Sequence, residues 1–457
     1  MQKLVVKGQF MAVRSCEIEM SRFLLLIGEQ ASGKSTIAKL IYFFQTLPDA
    51  IYEGIIAANG KNIYDLKANI GRKFSELFGG SNSGYSGEVK TEGLIYEIRF
   101  RYSASHSLKI LATFAWINYE IEDDLKKGID LAIENYKSAT KLKQERVDEI
   151  NARQNLKIEL DNLFSRDNTE HTYLIAGRSV TTAYPDIFEK AVESELKILL
   201  EEEVKGQNLE IQLRSGSEQL LYQFVQWSKT VRAVFSQKGG TFSNAVLKLD
   251  NHKEALLKMS SIATKVLKGE YESSPSPSLD ETIKVKTAEG GYALIKMKDA
   301  SSGQQEILRI LQGLFLAIGS DNRREFFVIE EPEAHLYPLA QKEVMNAFAV
   351  FLNTIPQGRL IVTTHSPYIL ACVNILLFAT FVAGRVNGQS DKIAVPKEYW
   401  LDANDFTAYS LSGEDQYCTD IKNPKTGLVS QNYLDKISEE LGTQYHQLYD
   451  LLTLSPK

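Results

Sequence analysis

The sequence predicts an α/β protein in which a domain with a mixed β-sheet is divided by a helical insertion. Near the start of the chain, the apolar run Phe23–Ile27 leads into the polar segment GEQASGKST and then into a helical stretch. Near the other end, REFFVIEEPEAHLYP and GRLIVTTHSPYIL each combine a buried-strand pattern with a polar ending. A long, charged and helical stretch separates these two parts. Strand and helix alternation on both sides of such a stretch is typical of a split α/β domain with parallel strands.

The change in sequence character along the chain predicts three segments. We expect the first part of the α/β domain over residues 1–120, a helical insertion over 121–279 and the second part of the domain over 280–457. A strand or loop near 172–180 interrupts the insertion. The apolar run 375–383 is far shorter than the ~20 residues that cross a bilayer, so we predict a buried strand there.

Length, charge and cysteine content exclude several classes of protein. A chain of 457 residues is too long for one compact core, and its 44% hydrophobic and 24% charged residues are typical of a globular protein. The net charge of −6 argues against a uniformly basic nucleic-acid coat. The three cysteines form no C-x-x-C pair, so we expect neither a zinc site nor a disulfide framework. No secretory signal pattern is visible, and we expect a cytoplasmic protein without membrane association.

The segment from Gly28 to Ser35 matches the pattern G-x-x-x-x-G-K-[ST] and lies between a buried strand and a helix. Glycines let the backbone curl so that its N–H groups face phosphate oxygens at a helix amino terminus. In this pattern Lys34 reaches the β- and γ-phosphates of a nucleotide, and the Ser35 hydroxyl binds Mg²⁺. We therefore predict ATP and Mg²⁺ as cofactors. The predicted nucleotide contacts here are Gly28, Glu29, Gln30, Ala31, Ser32, Gly33, Lys34, Ser35 and Thr36.

Polar residues that follow the two later strands complete the predicted site. Glu330 and Glu331 end the strand FFVI, at the edge where open α/β sheets bind ligands. Glu330 is suited to hold Mg²⁺ through water, although aspartate is commoner at such a position, and Glu331 is suited to deprotonate the attacking water. His365 follows the next strand and is suited to hydrogen-bond the γ-phosphate. We predict Glu331, His365 and Lys34 as catalytic residues, and Ser35 and Glu330 as metal ligands. The alternative is two surface glutamates and a structural histidine.

The segment DASSGQQEILRI, residues 299–310, precedes apolar residues at helical spacing. One explanation is a capping box, in which Ser302 caps the helix and Gln305 reaches back to the backbone of Ser302. This explanation accounts for Ser302 and Gln305, but it leaves Ser301, Gly303 and Gln304 unexplained as part of a set.

Together these motifs resemble those of ABC-type ATPases, in particular the soluble branch with the SMC, RecF and overcoming-lysogenization-defect families. The resemblance implies a P-loop NTPase head, and it makes SSGQQ at 301–305 a variant of the L-S-G-G-Q signature, with Gln304 replacing the second glycine. In such heads the signature crosses a head-to-head dimer interface and holds the γ-phosphate bound by the partner. The resemblance therefore adds Ser302, Gly303, Gln304 and Gln305 to the predicted nucleotide contacts. Residues 173–179 are the candidate Q-loop equivalent, with Arg178 either near the nucleotide or structural.

The resemblance also suggests what the ATPase controls. After His365 we find neither a Glu followed by D-x-D nor an H-N-H pattern, so we expect no nuclease site in this chain. The compact head, the short insertion and the tail from residue 403 resemble stand-alone ATPases of bacterial anti-phage systems, most closely the Septu-type ATPase, which acts with a separate HNH nuclease. PARIS- and retron-associated ATPases stay open as near relatives.

The partners implied by this resemblance are further copies of the chain, as a head-to-head dimer or a higher oligomer, and an HNH-type or other nuclease subunit in trans. DNA stays open as a further ligand. Two alternatives remain: a RecF-like ATPase that clamps DNA during repair without a nuclease partner, and a scaffold that turns ATP over slowly. A scaffold has no need of a base such as Glu331.

Overall fold

The protein is described by a computed structural model, which covers residues 2–58, 65–78, 95–112, 117–141, 146–166, 170–185, 216–274, 281–320, 324–386, 390–411 and 416–430, with isolated positions 187, 188, 190, 443, 444, 446 and 447. The strands are β1 (Lys3–Gly8), β2 (Cys16–Glu19), β3 (Phe23–Ile27), β4 (Tyr96–Arg101), β5 (Ser107–Ala112), β6 (Ile117–Ile121), β7 (Glu170–Leu174), β8 (Glu270–Ser273), β9 (Glu281–Lys286), β10 (Tyr292–Lys296), β11 (Glu325–Glu330), β12 (Arg359–Thr364), β13 (Phe406–Leu411) and β14 (Cys418–Asp420).

The helices are α1 (Lys34–Ala58), α2 (Leu66–Phe78), α3 (Asp123–Lys141), α4 (Arg146–Leu163), α5 (Arg178–Ala183), α6 (Gly216–Gln237), α7 (Phe242–Lys248), α8 (Lys253–Leu267), α9 (Ser302–Gly319), α10 (Pro338–Thr354) and α11 (Pro367–Ala383). The described part of the chain contains no helix that is both long and apolar enough to cross a membrane.

The central sheet has the strand order β14-β13-β3-β12-β11-β7. All neighbouring pairs from β13 to β7 are parallel, and β14 is antiparallel to β13. The carboxyl ends of β3, β12 and β11 therefore meet at one edge. Strands β3 and β11 are buried along their whole length, as expected for parallel strands that are covered on both faces. The predicted α/β fold with a mixed sheet is confirmed.

Two hydrophobic cores lie on opposite faces of this sheet. Alternate side chains of a strand point to opposite faces, and in β3 Leu24 and Leu26 belong to one core while Phe23 and Leu25 belong to the other. The first core is closed by α1, α2 and the antiparallel sheet β2-β1-β4-β5-β6. The second core is closed by α8, α9, α10 and α11. The central sheet is thus held rigidly from both sides.

The segment 121–279, for which we predict an insertion, also contributes to the head. Strand β7 pairs in parallel with β11 and so belongs to the central sheet. Helix α8 packs against α9 and α10, whereas α3 and α4 pack against each other. The predicted segment therefore supplies both a helical hairpin and an edge strand of the central sheet.

The apolar run 375–383 forms the second half of helix α11, so the predicted buried strand is wrong. Ser366 caps this helix by accepting hydrogen bonds from the N–H groups of Tyr368 and Ile369, and Pro367 occupies the first helical position. One face of the helix is buried, whereas Ile375 is 56% exposed. A short apolar run has no periodicity that separates a strand from a helix, and the cap upstream decides the outcome.

Helix α1 contains Pro48, which has no N–H group to donate to the carbonyl of Phe44 four residues earlier. That carbonyl accepts a hydrogen bond of 2.9 Å from the hydroxyl of Tyr102, which follows β4. Tyr102 is buried, and burial raises the pKa of its hydroxyl well above the ordinary value. The antiparallel sheet thereby supplies the donor that the proline removes from the helix.

We expect Tyr102→Phe to lower the free energy of unfolding by about 1–2 kcal/mol, because it leaves the buried Phe44 carbonyl without a donor. Urea unfolding followed by circular dichroism measures this change. Pro48→Ala restores an N–H at position 48, so in that background the same substitution should cost about half as much or less. An equal cost in both backgrounds would show that the hydroxyl does not compensate for the proline.

Candidate functional site

The carboxyl end of β3 leads into a tightly curled loop, and α1 begins at Lys34. Ala31 and Gly33 have φ angles of 60° and 92°, in the left-handed region. A β-carbon at Gly28 would lie 2.7 Å from the Ser32 hydroxyl oxygen and equally close to the Leu411 carbonyl oxygen. Only glycine fits there without displacing its neighbours. The Ser32 hydroxyl oxygen is itself buried and has no hydrogen-bond partner among the described residues.

Lys34 is the first residue of α1, and its side chain folds back onto this loop. Its ammonium donates to the carbonyls of Gly28 at 2.8 Å and Glu29 at 2.6 Å, and the residue is only 6% exposed. Burial lowers the pKa of Lys34, and four nearby carboxylates oppose that shift, in decreasing order those of Glu331, Glu333, Glu29 and Glu330. A phosphate oxygen at this point would be a stronger partner for the ammonium than a carbonyl oxygen.

The carboxylate of Glu330 is anchored to the neighbouring strand rather than directed into solvent. One oxygen accepts a 2.7 Å hydrogen bond from the hydroxyl of Tyr173 in β7, and the other accepts a 3.0 Å bond from the N–H of Ala176. The buried Tyr173 hydroxyl has its pKa raised first by desolvation and then by Glu330. The extra methylene of glutamate, relative to the commoner aspartate, brings the carboxylate to β7. Each oxygen keeps a second lone pair for a further partner.

Glu331 has a φ angle of 43°, which is uncommon for a residue with a side chain. Its N–H donates to the Thr363 carbonyl at the end of β12, over 2.9 Å, and its own carbonyl accepts from Ala334 at 3.1 Å. Its side chain is one-third exposed. Of the four carboxylates that oppose the lowering of the Lys34 pKa, that of Glu331 has the largest effect.

Glu333 organises the segment that carries His365. One of its oxygens accepts hydrogen bonds from the Thr364 hydroxyl at 2.6 Å and from the backbone N–H of His365 at 2.9 Å. The other oxygen is buried and has no hydrogen-bond partner among the described residues. The Nδ1 atom of His365 lies 3.7 Å from a carboxylate oxygen of Glu331 and 3.6 Å from one of Glu333. The imidazole is thus placed beside two carboxylates.

The amino terminus of α9 has a capping box, but one residue earlier than the alternative considered from the sequence. Ser301 is the cap: its hydroxyl accepts from the N–H of Gln304, and the Gln304 side chain accepts from the N–H of Ser301 at 2.9 Å. Ser302 is therefore exposed at the first helical position. A β-carbon at Gly303 would lie 2.6 Å from the His335 carbonyl oxygen, so this glycine lets α9 touch the turn after Glu331. Gln305 is buried and donates to the Met297 carbonyl.

The loop has the features that binding of a nucleoside triphosphate with Mg²⁺ requires. It presents a curled backbone at the amino terminus of a long helix, a buried ammonium and an orphan hydroxyl on Ser32. Ser35, in the first turn of α1, is exposed. Mg²⁺ in phosphoryl-transfer sites is commonly held by one or two protein groups together with phosphates and water, which matches the donors that Ser35 and Glu330 offer.

The model of one protein family, described as "AAA domain, putative AbiEii toxin, Type IV TA system", matches residues 23–371. That match comprises 349 of the 457 residues (371 − 23 + 1), well over half of the chain. The chain belongs to this AAA-domain family. The matched region runs from β3 through the loop before α1, the Glu330–Glu331 turn and His365, so it contains every strand end that forms the site.

No curated protein matches this AAA-domain chain. Three solved structures align with it: an Smc head domain with an extended coiled coil bound to the C-terminal domain of ScpA, from Pyrococcus furiosus (13% identity, 96% of this chain, 100% of that chain, TM-score 0.39); an SMC head domain from Thermotoga maritima (12%, 81%, 90%, 0.33); and the recombination mediator protein RecF-ATPrS (10%, 80%, 92%, 0.28). At these identities and scores they support no functional argument for this chain.

Several residues of the site had not been predicted from the sequence. Glu333 lies in the segment EPEAH, residues 331–335, which the resemblance to ABC-type ATPases includes, but no role was predicted for this residue. Tyr173 and Glu306 had no such local signal, because their partners lie far away in the sequence. Tyr417 is the clearest case: its hydroxyl donates a 2.6 Å hydrogen bond to the carbonyl of Ser32, which lies 385 positions earlier. The roles of the predicted nucleotide and metal contacts stay predictions.

Tyr417 supports the loop from outside, and a β-carbon at Gly33 would lie 2.5 Å from its hydroxyl. We expect Tyr417→Phe to weaken ATP binding by about 3–10-fold, the equivalent of one lost hydrogen bond that orients the loop. Isothermal titration or a fluorescent ATP analogue measures the dissociation constant.

Tyr409→Phe is the matched control. The Tyr409 hydroxyl accepts a 3.0 Å bond from the N–H of Glu19, away from the loop, and burial raises its pKa to about 12. This variant should lose a similar hydrogen bond yet keep its affinity for ATP within about twofold. Unchanged ATP binding in Tyr417→Phe, or equal losses in both variants, would refute the supporting role of Tyr417.

Proposed function

We propose that the chain binds ATP and Mg²⁺ at residues 28–36 and hydrolyses ATP, and that a head-to-head dimer or higher oligomer of it regulates a partner nuclease in anti-phage defence. The ATPase part depends on the convergence of the loop, Glu331 and His365 at one sheet edge. Each follows a different strand of the set β3, β11 and β12, whose parallel pairing is in register. This edge is where α/β proteins bind ligands. Membership of an AAA-domain family supports the same assignment.

The residues have separate tasks in this proposal. Loop N–H groups hold the phosphates, and Lys34 contacts the β- and γ-phosphates. Ser35 and, through water, Glu330 would hold Mg²⁺, which when bound would neutralise charge at the phosphates. Glu331 takes a proton from the attacking water as the water oxygen bonds to the γ-phosphorus and the bond to the bridging oxygen breaks, which releases ADP. His365, oriented by Glu333, hydrogen-bonds the γ-phosphate.

The exposed amino terminus of α9 supports the dimer part of the proposal. Because Ser301 performs the capping, the Ser302 hydroxyl remains for a ligand outside the chain. The aligned peptide dipoles of this 18-residue helix place about half a positive charge at the same end. The γ-phosphate bound by a second copy is the ligand that such an end would stabilise. The buried side chain of Gln305 donates to the carbonyls of Met297 and Lys298, in the turn that precedes α9.

The regulatory part rests on two observations. The sequence resembles that of stand-alone anti-phage ATPases, most closely of the Septu type, and the family description names a toxin and a toxin–antitoxin system. The alternative is a RecF-like ATPase that clamps DNA without a nuclease partner. The two functions predict different partners for the ATP-bound oligomer: a nuclease subunit in the first case and only DNA in the second.

Glu331→Gln removes the proposed base and keeps the size of the side chain, so we expect ATP to be trapped and hydrolysis to fall by at least about 10²-fold. The tagged variant should be expressed with its neighbouring genes and purified with and without ATP. Mass spectrometry and mass in solution then identify the retained partners. A stoichiometric nuclease chain in a large complex supports the defence function, whereas a bare dimer that gains only DNA supports the clamp.

Two controls accompany this experiment. Glu254→Gln makes the same chemical change on the exposed face of α8, where Glu254 pairs with Lys258, and should hydrolyse ATP at the wild-type rate. Lys34→Ala should lose ATP binding and with it any ATP-dependent partner. Hydrolysis by Glu331→Gln at the wild-type rate would show that Glu331 is not the base.

A further inference from the structure

Arg178 connects three parts of the site from inside the protein. It is fully buried, which is rare for an arginine unless its guanidinium is paired. Its Nη1 donates to the carbonyls of Ile175 and of Glu330, the latter at 2.7 Å, and its Nη2 donates to the carbonyl of Glu331 at 3.2 Å. Its Nε donates to the carbonyl of Glu306 at 3.1 Å. These carbonyls belong to the end of β7, the end of β11 and the first turns of α9.

Glu306 makes the connection reciprocal. Its carboxylate lies 3.3 Å from the Nε atom of Arg178. It also accepts hydrogen bonds from the backbone N–H groups of Arg178 and Ser179, both at 3.0 Å. The residue is 1% exposed, four positions after Ser302 on α9. A second contact joins α9 to the turn after Glu331, since Gly303 packs directly on the His335 carbonyl in that turn. Helix α9 and the Glu331 turn therefore share two separate contacts.

The geometry of the guanidinium explains why this position holds an arginine. Its planar fork presents five N–H donors in fixed directions, so it bonds carbonyls on three backbone segments at once. An ammonium has three donors on a flexible stem and cannot match those directions. Burial lowers the pKa of Arg178, while the carboxylates of Glu306, Glu330, Glu333 and Glu331 oppose that shift.

We propose that Arg178 is a positioning residue that makes the Glu330–Glu331 turn and the first turns of α9 one rigid unit. This inference rests on the proposed function, because it concerns the base for the chain's own ATP and the Ser302 surface for the partner's ATP. Any shift of α9 on dimer closure is then transmitted to Glu331, and a displaced Glu331 alters the Ser302 surface. The two nucleotide sites of a dimer are thus coupled through the Arg178 and Glu306 side chains of each copy.

Arg309 provides a matched control on the same helix. It is also fully buried, and its two terminal nitrogens donate to both carboxylate oxygens of Glu281, at 2.7 and 2.6 Å. That ion pair connects α9 to β9, and the hydrogen bonds of Arg309 within the described ranges go to Glu281 and Gln312 rather than to the Glu331 turn. Arg178→Lys and Arg309→Lys therefore each remove a fully buried guanidinium. They differ in the partners that the guanidinium binds: backbone carbonyls at the site for Arg178, and the Glu281 carboxylate for Arg309.

The experiment measures ATP affinity, kcat and folded fraction for both variants of the full chain. Arg178→Lys should keep its ATP dissociation constant within about threefold and lose about 10–10²-fold in kcat, because the base is displaced while the loop at 28–36 is unaffected. Arg309→Lys should keep kcat per folded molecule within about twofold. In the Glu331→Gln background, Arg178→Lys should also weaken the ATP-dependent dimer by about tenfold.

Equal kcat losses in the two variants, or an unchanged kcat in Arg178→Lys, would overturn the proposal. If Arg178→Lys does not fold, Glu306→Gln serves instead, since it removes the charge and retains one acceptor oxygen. Glu306→Gln should also lower kcat and leave the affinity for ATP unchanged. An unchanged kcat with a weakened affinity for ATP would refute the inference. A wild-type chain that neither hydrolyses ATP nor dimerises with it would refute the proposed function itself, which separates the two failures.

Discussion

The packing of four glutamates against two buried cations is the constraint on which the site depends. The carboxylates of Glu306, Glu330, Glu331 and Glu333 all oppose the lowering of the Arg178 pKa by burial, and three of them do the same for Lys34. Carboxylates so close to one another repel and lose hydration, which is costly unless cations and hydrogen bonds compensate. Arg178 contributes a positive charge that is held in place by hydrogen bonds to backbone carbonyls. Lys34 contributes a second positive charge beside the loop. The carboxylates of the predicted site are therefore compensated both by Arg178, which has no predicted part in the chemistry, and by Lys34, which has one.

Three of the seven described non-glycine residues with positive φ angles lie at the proposed site. Ala31, Glu331 and His335 all have positive φ angles, a conformation that costs of order 1–3 kcal/mol for residues with a side chain. Hydrogen bonds to β12, to Arg178 and within the turn hold Glu331: its N–H donates to the Thr363 carbonyl, and its carbonyl accepts from Arg178 and Ala334. The parallel pairing of β11 with β12 thus determines the direction of the predicted base.

The sequence was sufficient for features that are local. The loop at 28–35, the strand endings at Glu330 and His365 and the α/β alternation each show within about ten residues. Contacts between distant segments were not predictable, because one sequence carries no information on pairing. The bond of Tyr417 to Ser32 and that of Tyr173 to Glu330 belong to this class. The error at 375–383 has a different cause: the run is apolar on all sides, and its cap lies nine residues upstream, at Ser366 (375 − 366).

The segment Ser301–Gln305 shows how capping and ligand binding can occupy adjacent residues of one helix end. From the sequence the two explanations competed for Ser302, because a hydroxyl bonded to its own helix is not free for a phosphate. The structure assigns the cap to Ser301 and its partner Gln304, and Gln304 also donates to the Leu267 carbonyl at 2.6 Å. The helix end is therefore fixed before any ligand arrives. A preorganised end of this kind loses little conformational entropy on binding, so an exposed Ser302 hydroxyl and the helix dipole can act together on a partner's phosphate.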